Sequence, residues 1–549
     1  MKMNGFVKGA VILVIFNLIG KVIGAVYRIP LANLLGSVGI GKYQLIFPLY
    51  SLMLSISVSG IPVAISKLVS EYNSKKMFGD VKRLVRLSFL YLTAVSIVCV
   101  ALVFVCAKFI ARIQGNFEIY LCYYGIAPAI LFVALLSVFR GYFQGQLNMT
   151  PTALSGLIEQ FGRLFFGLFL AKKFIKFGVI YGVLGAVIGI SVSELFALIF
   201  LMIYYLCSKR KMLKEEPKLS RKEISKSLIQ TALPITVGGL ASPITSIIDS
   251  FLVVNLLIFT GFSSSYATSL LGLQSGIVDP LINIPIVIAV SIASSILPNL
   301  TDVYVKNDTS EVKKLIEKAF QITLSVSLAC AICYVIFGRQ ILEFLYSKTL
   351  LAEELVISTK LLFLGGVNLI FLSLVYVSAS ILQGMGKQKQ AAKSILLGSV
   401  VKIILTILLV GNKNVNILGA TISGGLSYIA VFLMNYRHIK NEVDVRVTNL
   451  IFSLAVQECV VCLFAFLTNW LIGLKFGSTI ALFIGGAFAV LIFAITYYFL
   501  FLSERRAKIS SWLFLLDLIL CLYEFKDKKC WIEIKCNISS NGGIYGYGI

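Results

Sequence analysis

The chain has 549 residues, of which 58% are hydrophobic and only 13% charged, and its mean hydropathy is +0.93. Soluble domains carry roughly 25% charged residues, so this composition excludes a water-soluble globular protein and makes lipid the solvent for most of the chain. The formal charge of +24 would suit nucleic acid if the cations formed one basic face, but they fall in alternate loops between apolar segments.

A helix needs about 20 apolar residues to cross the hydrocarbon of a bilayer. Stretches of that kind occupy 9–33, 44–68, 85–107, 118–142, 151–172, 179–206, 227–255, 277–300, 315–337, 357–383, 390–411, 415–436, 450–472 and 478–502. They predict an all-α polytopic membrane protein with about fourteen transmembrane helices. A membrane β-barrel would show short alternating segments instead, and residues 179–206 do not alternate. Lys2 and Lys8 precede the first run as they would in a signal peptide, yet that run continues through Lys21 and Arg28 without a small-x-small cleavage site. It is read as a retained first helix.

Lysine and arginine concentrate after even-numbered spans. Lys75, Lys76, Lys82, Arg83 and Arg86 follow the second, and Lys209, Arg210, Lys211, Lys214, Lys218, Arg221, Lys222 and Lys226 follow the sixth. Lys313, Lys314, Lys387, Lys389, Lys393, Arg437, Lys440, Arg505 and Arg506 continue the pattern. The positive-inside rule then places both termini and the even loops in the cytoplasm, with anionic lipid headgroups as neighbours of the basic loops.

The most charged link, 208–226, divides two halves: an N-terminal six-helix lobe (1–207) and a C-terminal six-helix lobe (227–436). A terminal helix pair (450–502) and a cytoplasmic or interfacial tail (503–549) follow. In the tail, the apolar run from Trp512 to Tyr523 is interrupted by Asp517 and is too short to span. Internal similarity supports the halves. Asp80-Val81-Lys82-Arg83-Leu84 reads like Glu311-Val312-Lys313-Lys314-Leu315, and Gln144-Gly145 matches Gln383-Gly384. That second register aligns Ala153 with Ala392, Ser155 with Ser394 and Arg163 with Lys402. Repeats of this kind build a central site between two lobes that rock against each other.

Ionisable residues at membrane depth cost about 2.5–3.5 kcal/mol each if they face lipid, so they must face something else. Asn17, Lys21, Gly24 and Arg28 form one stripe of the first helix, with no acid in the same span. Unpaired cations in a wet cavity attract an anionic ligand, and arginine suits bidentate contact with phosphate. Glu159 and Arg163 form an i,i+4 pair, read as holding helices together. Glu194 sits midway along span six, Asp249 in the outer half of span seven, Asp279 at the mouth of span eight and Lys402 midway along span eleven. The acids are candidates for a coupling ion or for complementing the cations, and both readings stay open for Asp249 and Asp279. Lys67 and Arg140 stand at helix ends, where snorkelling to the interface is the default. Pro234 and Pro243 in span seven, and Pro285 and Pro298 in span eight, can kink helices.

No catalytic constellation, metal cluster or phosphate-binding loop is visible, and His438 is the only histidine. The cysteine pairs Cys330/Cys333 and Cys459/Cys462 lie in apolar spans and are read as packing residues. The expectation is a transporter, not an enzyme, with no cofactor beyond an unidentified coupling ion.

Gly39-Ile40-Gly41-Lys42-Tyr43, the run from Ile61-Pro62 to Ser70-Glu71, and above all Arg140-Gly141-Tyr142-Phe143-Gln144-Gly145 through Asn148-Met149-Thr150-Pro151 to Glu159-Gln160 carry a resemblance. Over about residues 5 to 505 the chain resembles the stage V sporulation protein B-like group of polysaccharide flippases, related to MurJ-type lipid II flippases in the MOP (multidrug, oligosaccharidyl-lipid, polysaccharide) superfamily. The resemblance implies alternating access in a bacterial cytoplasmic membrane, a lipid-linked sugar pyrophosphate as cargo, and a role in spore cortex peptidoglycan synthesis. Cell-wall synthesis enzymes are candidate partners; nucleic acid is not. It also implies that Lys21 and Arg28 line a central cavity and that the last two helices hold the lipid tail; with Asn17, Arg163 and Lys402 these two make up the candidate cationic substrate site. The match at Arg28 is displaced by about one residue, and no arginine lies within span eight, so a full cation cluster is not carried over. A cation-coupled multidrug exporter of the same superfamily and a non-transporting component of cortex synthesis are the alternatives. A membrane enzyme acting on lipid-linked sugars is disfavoured by short outer loops poor in acids.

Overall fold

The computed structural model describes residues 2–209, 216–306, 308–445, 461–468 and 478–497. The centre of the basic linker, most of span 450–472, Cys459 and the tail from 498 onward lie outside the described residues, as does the side chain of Asn17. The described chain is helical, in helices α1 (Lys2–Val58), α2 (Ile61–Ser74), α3 (Phe78–Ile113), α4 (Tyr120–Gly145), α5 (Thr150–Phe174) and α6 (Val179–Lys209) of the first half. The second half contributes α7 (Arg221–Gly239), α8 (Ala241–Phe259), α9 (Ser264–Leu271), α10 (Asp279–Val305), α11 (Thr309–Tyr346), α12 (Ala352–Gly384), α13 (Gln388–Val410) and α14 (Ile417–Lys440). Residues 461–468 are helical, and α15 (Ser478–Tyr497) follows. Among the described residues, 10 helical segments are long and apolar enough to cross a membrane, with Pro243–Phe259 and Leu482–Ile495 as shorter apolar helices.

The first of those segments makes two crossings. Gly36 has φ 71°, a left-handed conformation that glycine adopts at little cost, and there α1 turns back on itself. Its first arm climbs beside α5, with Tyr27 against Gly167. Its second arm descends beside α4 and continues into α2, where Pro62 meets Gly141. The predicted spans one and two are thus joined by an elbow, not a polar loop. Span seven is interrupted at Leu240, between α7 and α8, beyond Pro234 and before Pro243. Span eight begins earlier than predicted: α9, a π-helical stretch (Gly272–Val278) and α10 run on without a break. Asp279 therefore lies inside a continuous helical run and not at its mouth. The extra residue per turn in a π stretch shifts the register of the side chains that follow.

The two halves repeat one packing scheme. In the first, α3 packs on α4, α4 on α6 and α5 on α6; in the second, α11 packs on α12, α12 on α14 and α13 on α14. Away from the basic loops the lobes share a single apolar core, in which Leu31, Ile40 and Tyr123 meet Ile277 and Leu361. Toward the basic loops the core divides. Ile65, Leu84, Tyr142 and Leu228 form one cluster, and Leu300, Phe320, Val377 and Ile439 form another. The lobes therefore share one core at the far end, while at the basic end the first cluster, which includes Leu228 of α7, is separate from the cluster on α10, α11, α12 and α14.

The Arg140 to Gly145 motif serves this packing. A Cβ on Gly145 would stand 2.6 Å from the Ser66 carbonyl oxygen, and one on Gly141 2.8 Å from that of Pro62, so α2 and α4 approach backbone to backbone. Tyr142 and Phe143 are buried beside them. Gly145→Leu is expected to lower the thermal unfolding midpoint in detergent, because overpacking such a contact costs about 1–3 kcal/mol or more. An unchanged midpoint would show that α2 and α4 can separate freely.

Candidate functional site

The ionisable residues predicted from the sequence fall into one cluster in each lobe and a group on the first arm of α1, and the tertiary structure sorts them into paired and unpaired groups. In the first lobe, Arg163 Nη2 donates to Glu159 Oε1 at 3.1 Å and to Glu194 Oε1 at 3.3 Å. Arg140 Nη2 reaches Glu159 Oε2 at 3.1 Å, and its Nε donates to Ser155 Oγ at 3.0 Å. Gln160 Nε2 adds a bond to Glu159 Oε1 at 3.1 Å. Arg140 does not snorkel, as its place near a helix end suggested; it belongs to a network across α4, α5 and α6.

Part of that network follows from hairpin geometry. Arg163 and Glu194 lie about equally far from Gly178 between α5 and α6, whereas Arg140 is nearer the turn joining α4 to α5 than Glu159 is and reaches it with the length of its side chain. Residues equidistant from a tight connection between antiparallel helices come level in the membrane. The level placement of Arg163 and Glu194 is compatible with the sequence spacing, but the spacing does not single out the partners, and that of Arg140 with Glu159 is not announced by it. The tyrosines that face Arg163 from α1, Tyr27, Tyr43 and Tyr50, depend on the elbow at Gly36, and nothing local announces them.

In the second lobe, Lys402 Nζ on α13 pairs with Asp249 Oδ2 on α8. Asp279 on α10 lies within electrostatic range of Lys402 and Arg28, and Tyr428 on α14 stands beside Lys402. Arg163 and Lys402, equivalent by the internal repeat, thus both hold carboxylates. Among the described residues Lys21 and Arg28 have no carboxylate partner at ion-pair distance. Arg28 sits near the apex where the lobes join, within range of Asp279 and Tyr346. Lys21 is exposed and two turns nearer the basic end. In the sequence motif, Gln144 and Asn148 are half-buried near the α4 to α5 turn, away from these cations.

The joined end is closed by polar contacts that the sequence did not reveal. Glu354, at the start of α12, accepts from Ser37 Oγ at 2.5 Å and from Ser269 Oγ at 3.0 Å. Gln44 Nε2 donates to the Ser275 carbonyl at 2.8 Å, and Asn116 Nδ2 to Thr268 Oγ1 at 3.0 Å. At the basic end α7 rests on the first lobe: the Gly60 amide donates to Thr236 Oγ1 at 3.1 Å, and the Asp80 carboxylate accepts from the Lys218 and Leu219 amides at 3.2 and 2.9 Å.

Comparison with known proteins agrees with this architecture. The profile of the family described as polysaccharide biosynthesis protein matches residues 6–304, more than half of the chain. The chain belongs to the polysaccharide biosynthesis protein family. This family member is 27% identical over 453 residues to the lipid II flippase MurJ of Bacillus subtilis (strain 168), covering 79% of this chain and 82% of the relative. It is 23% identical over 466 residues to stage V sporulation protein B of the same organism, covering 83% and 88%. Its fold matches a solved structure of the lipid II flippase MurJ in an inward closed conformation, with a TM-score of 0.69 at 15% identity over 90% of this chain and 100% of that one. An inward-facing multidrug resistance MATE transporter of the MOP superfamily matches with a TM-score of 0.57 at 15% identity, over 78% and 95%. The family member is a multi-pass membrane protein with the MOP transporter fold.

Proposed function

We propose that this protein is a flippase that moves a lipid-linked, polyanionic glycan precursor from the inner to the outer leaflet by alternating access. The observation that carries the reading is the sorting of the cations. Arg140, Arg163 and Lys402 are bonded to carboxyl groups of Glu159, Glu194 and Asp249, whereas Lys21 and Arg28 have no such partner among the described residues and share the first arm of α1. An uncompensated lysine and arginine at this depth are costly unless an anion completes the site, and a pyrophosphate matches both their charge and the fork of the guanidinium. Lys402 consequently has a local role in joining α8 to α13, and Arg163 in joining α5 to α6, beside any contact with cargo.

Positive-inside topology supports placing the divided, basic end in the cytoplasm. In the conformation described the exposed Lys21 would then be nearest the inner leaflet, where lipid-linked precursors are made. The sugar head would enter between the lobes while the polyprenyl tail stays in lipid along the last two helices. Similarity to the lipid II flippase MurJ and to stage V sporulation protein B supports a peptidoglycan precursor and a task in spore cortex synthesis, beside cell-wall synthesis enzymes.

Depleting the protein during cortex formation is expected to leave lipid-linked precursor accumulated in the inner leaflet and inaccessible from outside. Loss of resistance to lipophilic cations with normal precursor distribution would instead identify a drug exporter.

A further inference from the structure

Resting on the transporter reading above, we infer that Glu194 and Glu159 share one proton and form the site through which a proton gradient drives transport. The two carboxyl groups meet on a single nitrogen: Arg163 Nη2 is 3.1 Å from Glu159 Oε1 and 3.3 Å from Glu194 Oε1. Their surroundings treat them unequally. Glu159 receives bonds from Arg140, Arg163 and Gln160. Glu194 is 2% exposed, has the one 3.3 Å bond, and its Oε2 finds no partner among the described residues.

The groups facing Glu194 are Arg140 from α4, Glu159 and Arg163 from α5, and Tyr50 from the second arm of α1; Tyr27 and Tyr43 stand on the Arg163 side. Arg140 is committed to Glu159 and Ser155. Two carboxylates drawn to one nitrogen away from water do not both ionise readily, and a proton on one makes it a donor. Glu194 is the better-placed carrier: protonated, it donates to Glu159, and ionised, it has a buried oxygen with nothing to receive.

One side chain links this pair to the cation helix. Gln160, which donates to Glu159, packs on the first arm of α1: Cβ atoms on Gly20 and Gly24 would stand 3.3 Å from its Cγ and 3.2 Å from its Oε1. Those two glycines flank Lys21. Taking up or releasing a proton changes what Glu159 asks of Gln160, and with it the contact between α5 and the helix that carries Lys21 and Arg28. A proton taken from one side of the membrane and released to the other would thereby bias that helix.

Infrared spectroscopy of the full-length protein in lipid nanodiscs tests the shared proton without any need for turnover. At neutral pH the wild type is expected to show a protonated-carboxyl C=O component that bleaches as pH rises and is missing from both Glu194→Gln and Glu159→Gln. In proteoliposomes carrying a lipid-linked sugar pyrophosphate, a pH gradient of one polarity is expected to speed wild-type flipping several-fold and the reverse polarity to slow it. Glu194→Gln is expected to flip at a rate indifferent to the gradient. A carboxyl component untouched by both substitutions overturns the shared proton, and a gradient response retained by Glu194→Gln overturns the coupling. Wild-type protein that shows the component but flips nothing overturns the flippase reading and the coupling with it, and leaves the shared proton standing.

Discussion

Arg28→Ala is expected to cut flipping of a lipid-linked pyrophosphate about ten- to hundredfold, since a hydrogen bond to a charged group contributes about 1.5–3 kcal/mol. Lys21→Ala is expected to cost less, because Lys21 is exposed toward the basic end and a solvated ammonium gives up less on losing its ligand. Arg28→Lys separates charge from shape: it keeps the positive charge but loses the bidentate fork, so an intermediate rate is expected. The assay is leaflet-specific accessibility of the precursor in cells or proteoliposomes, corrected for the amount of protein in the membrane. Normal translocation by both alanine variants would refute a cationic substrate cavity. Loss in Arg28→Ala that Arg28→Lys fully restores would mean that charge alone, without geometry, holds the cargo.

Arg163→Met addresses stability, not cargo. The substitution removes the only cation bonded to Glu194 among the described residues and one of two bonded to Glu159. Removing one partner from a buried ion pair typically costs about 3–5 kcal/mol, whereas replacing the pair by apolar side chains of similar volume is often neutral. Arg163→Met alone is therefore expected to lower the thermal unfolding midpoint in detergent markedly, and Arg163→Met combined with Glu194→Met to recover much of the loss. The non-additivity of that cycle measures the coupling. Glu159 keeps Arg140 in both variants, so the cycle isolates Glu194. Equal and additive losses would mean that Arg163 acts through packing of its aliphatic stem.

Much of the architecture was legible because lipid imposes a simple code. Every spanning backbone must satisfy its own hydrogen bonds, so apolar length alone announces helices such as α3, α6 and α12. The repeat was legible too, since the register of Gln144-Gly145 with Gln383-Gly384 carries Arg163 onto Lys402, and the two lobes do pack by one scheme. The interruption at Leu240 and the early start of α9 were not legible, because hydropathy averages over a break that keeps its residues apolar.

By itself, the sequence determined a polytopic helical membrane protein with basic loops on one side, a two-fold internal repeat, and a short set of charges too costly to face lipid. Only the tertiary structure decided which charged groups bond to one another. Arg163 meets Glu194 because α5 and α6 come level across Gly178, Lys402 meets Asp249 because α13 packs on α8, and Lys21 and Arg28 are left over on an arm set by the elbow at Gly36. Side-chain pairing at membrane depth depends on distances of a few ångströms between elements far apart in the chain, and helical periodicity within one element does not contain that information.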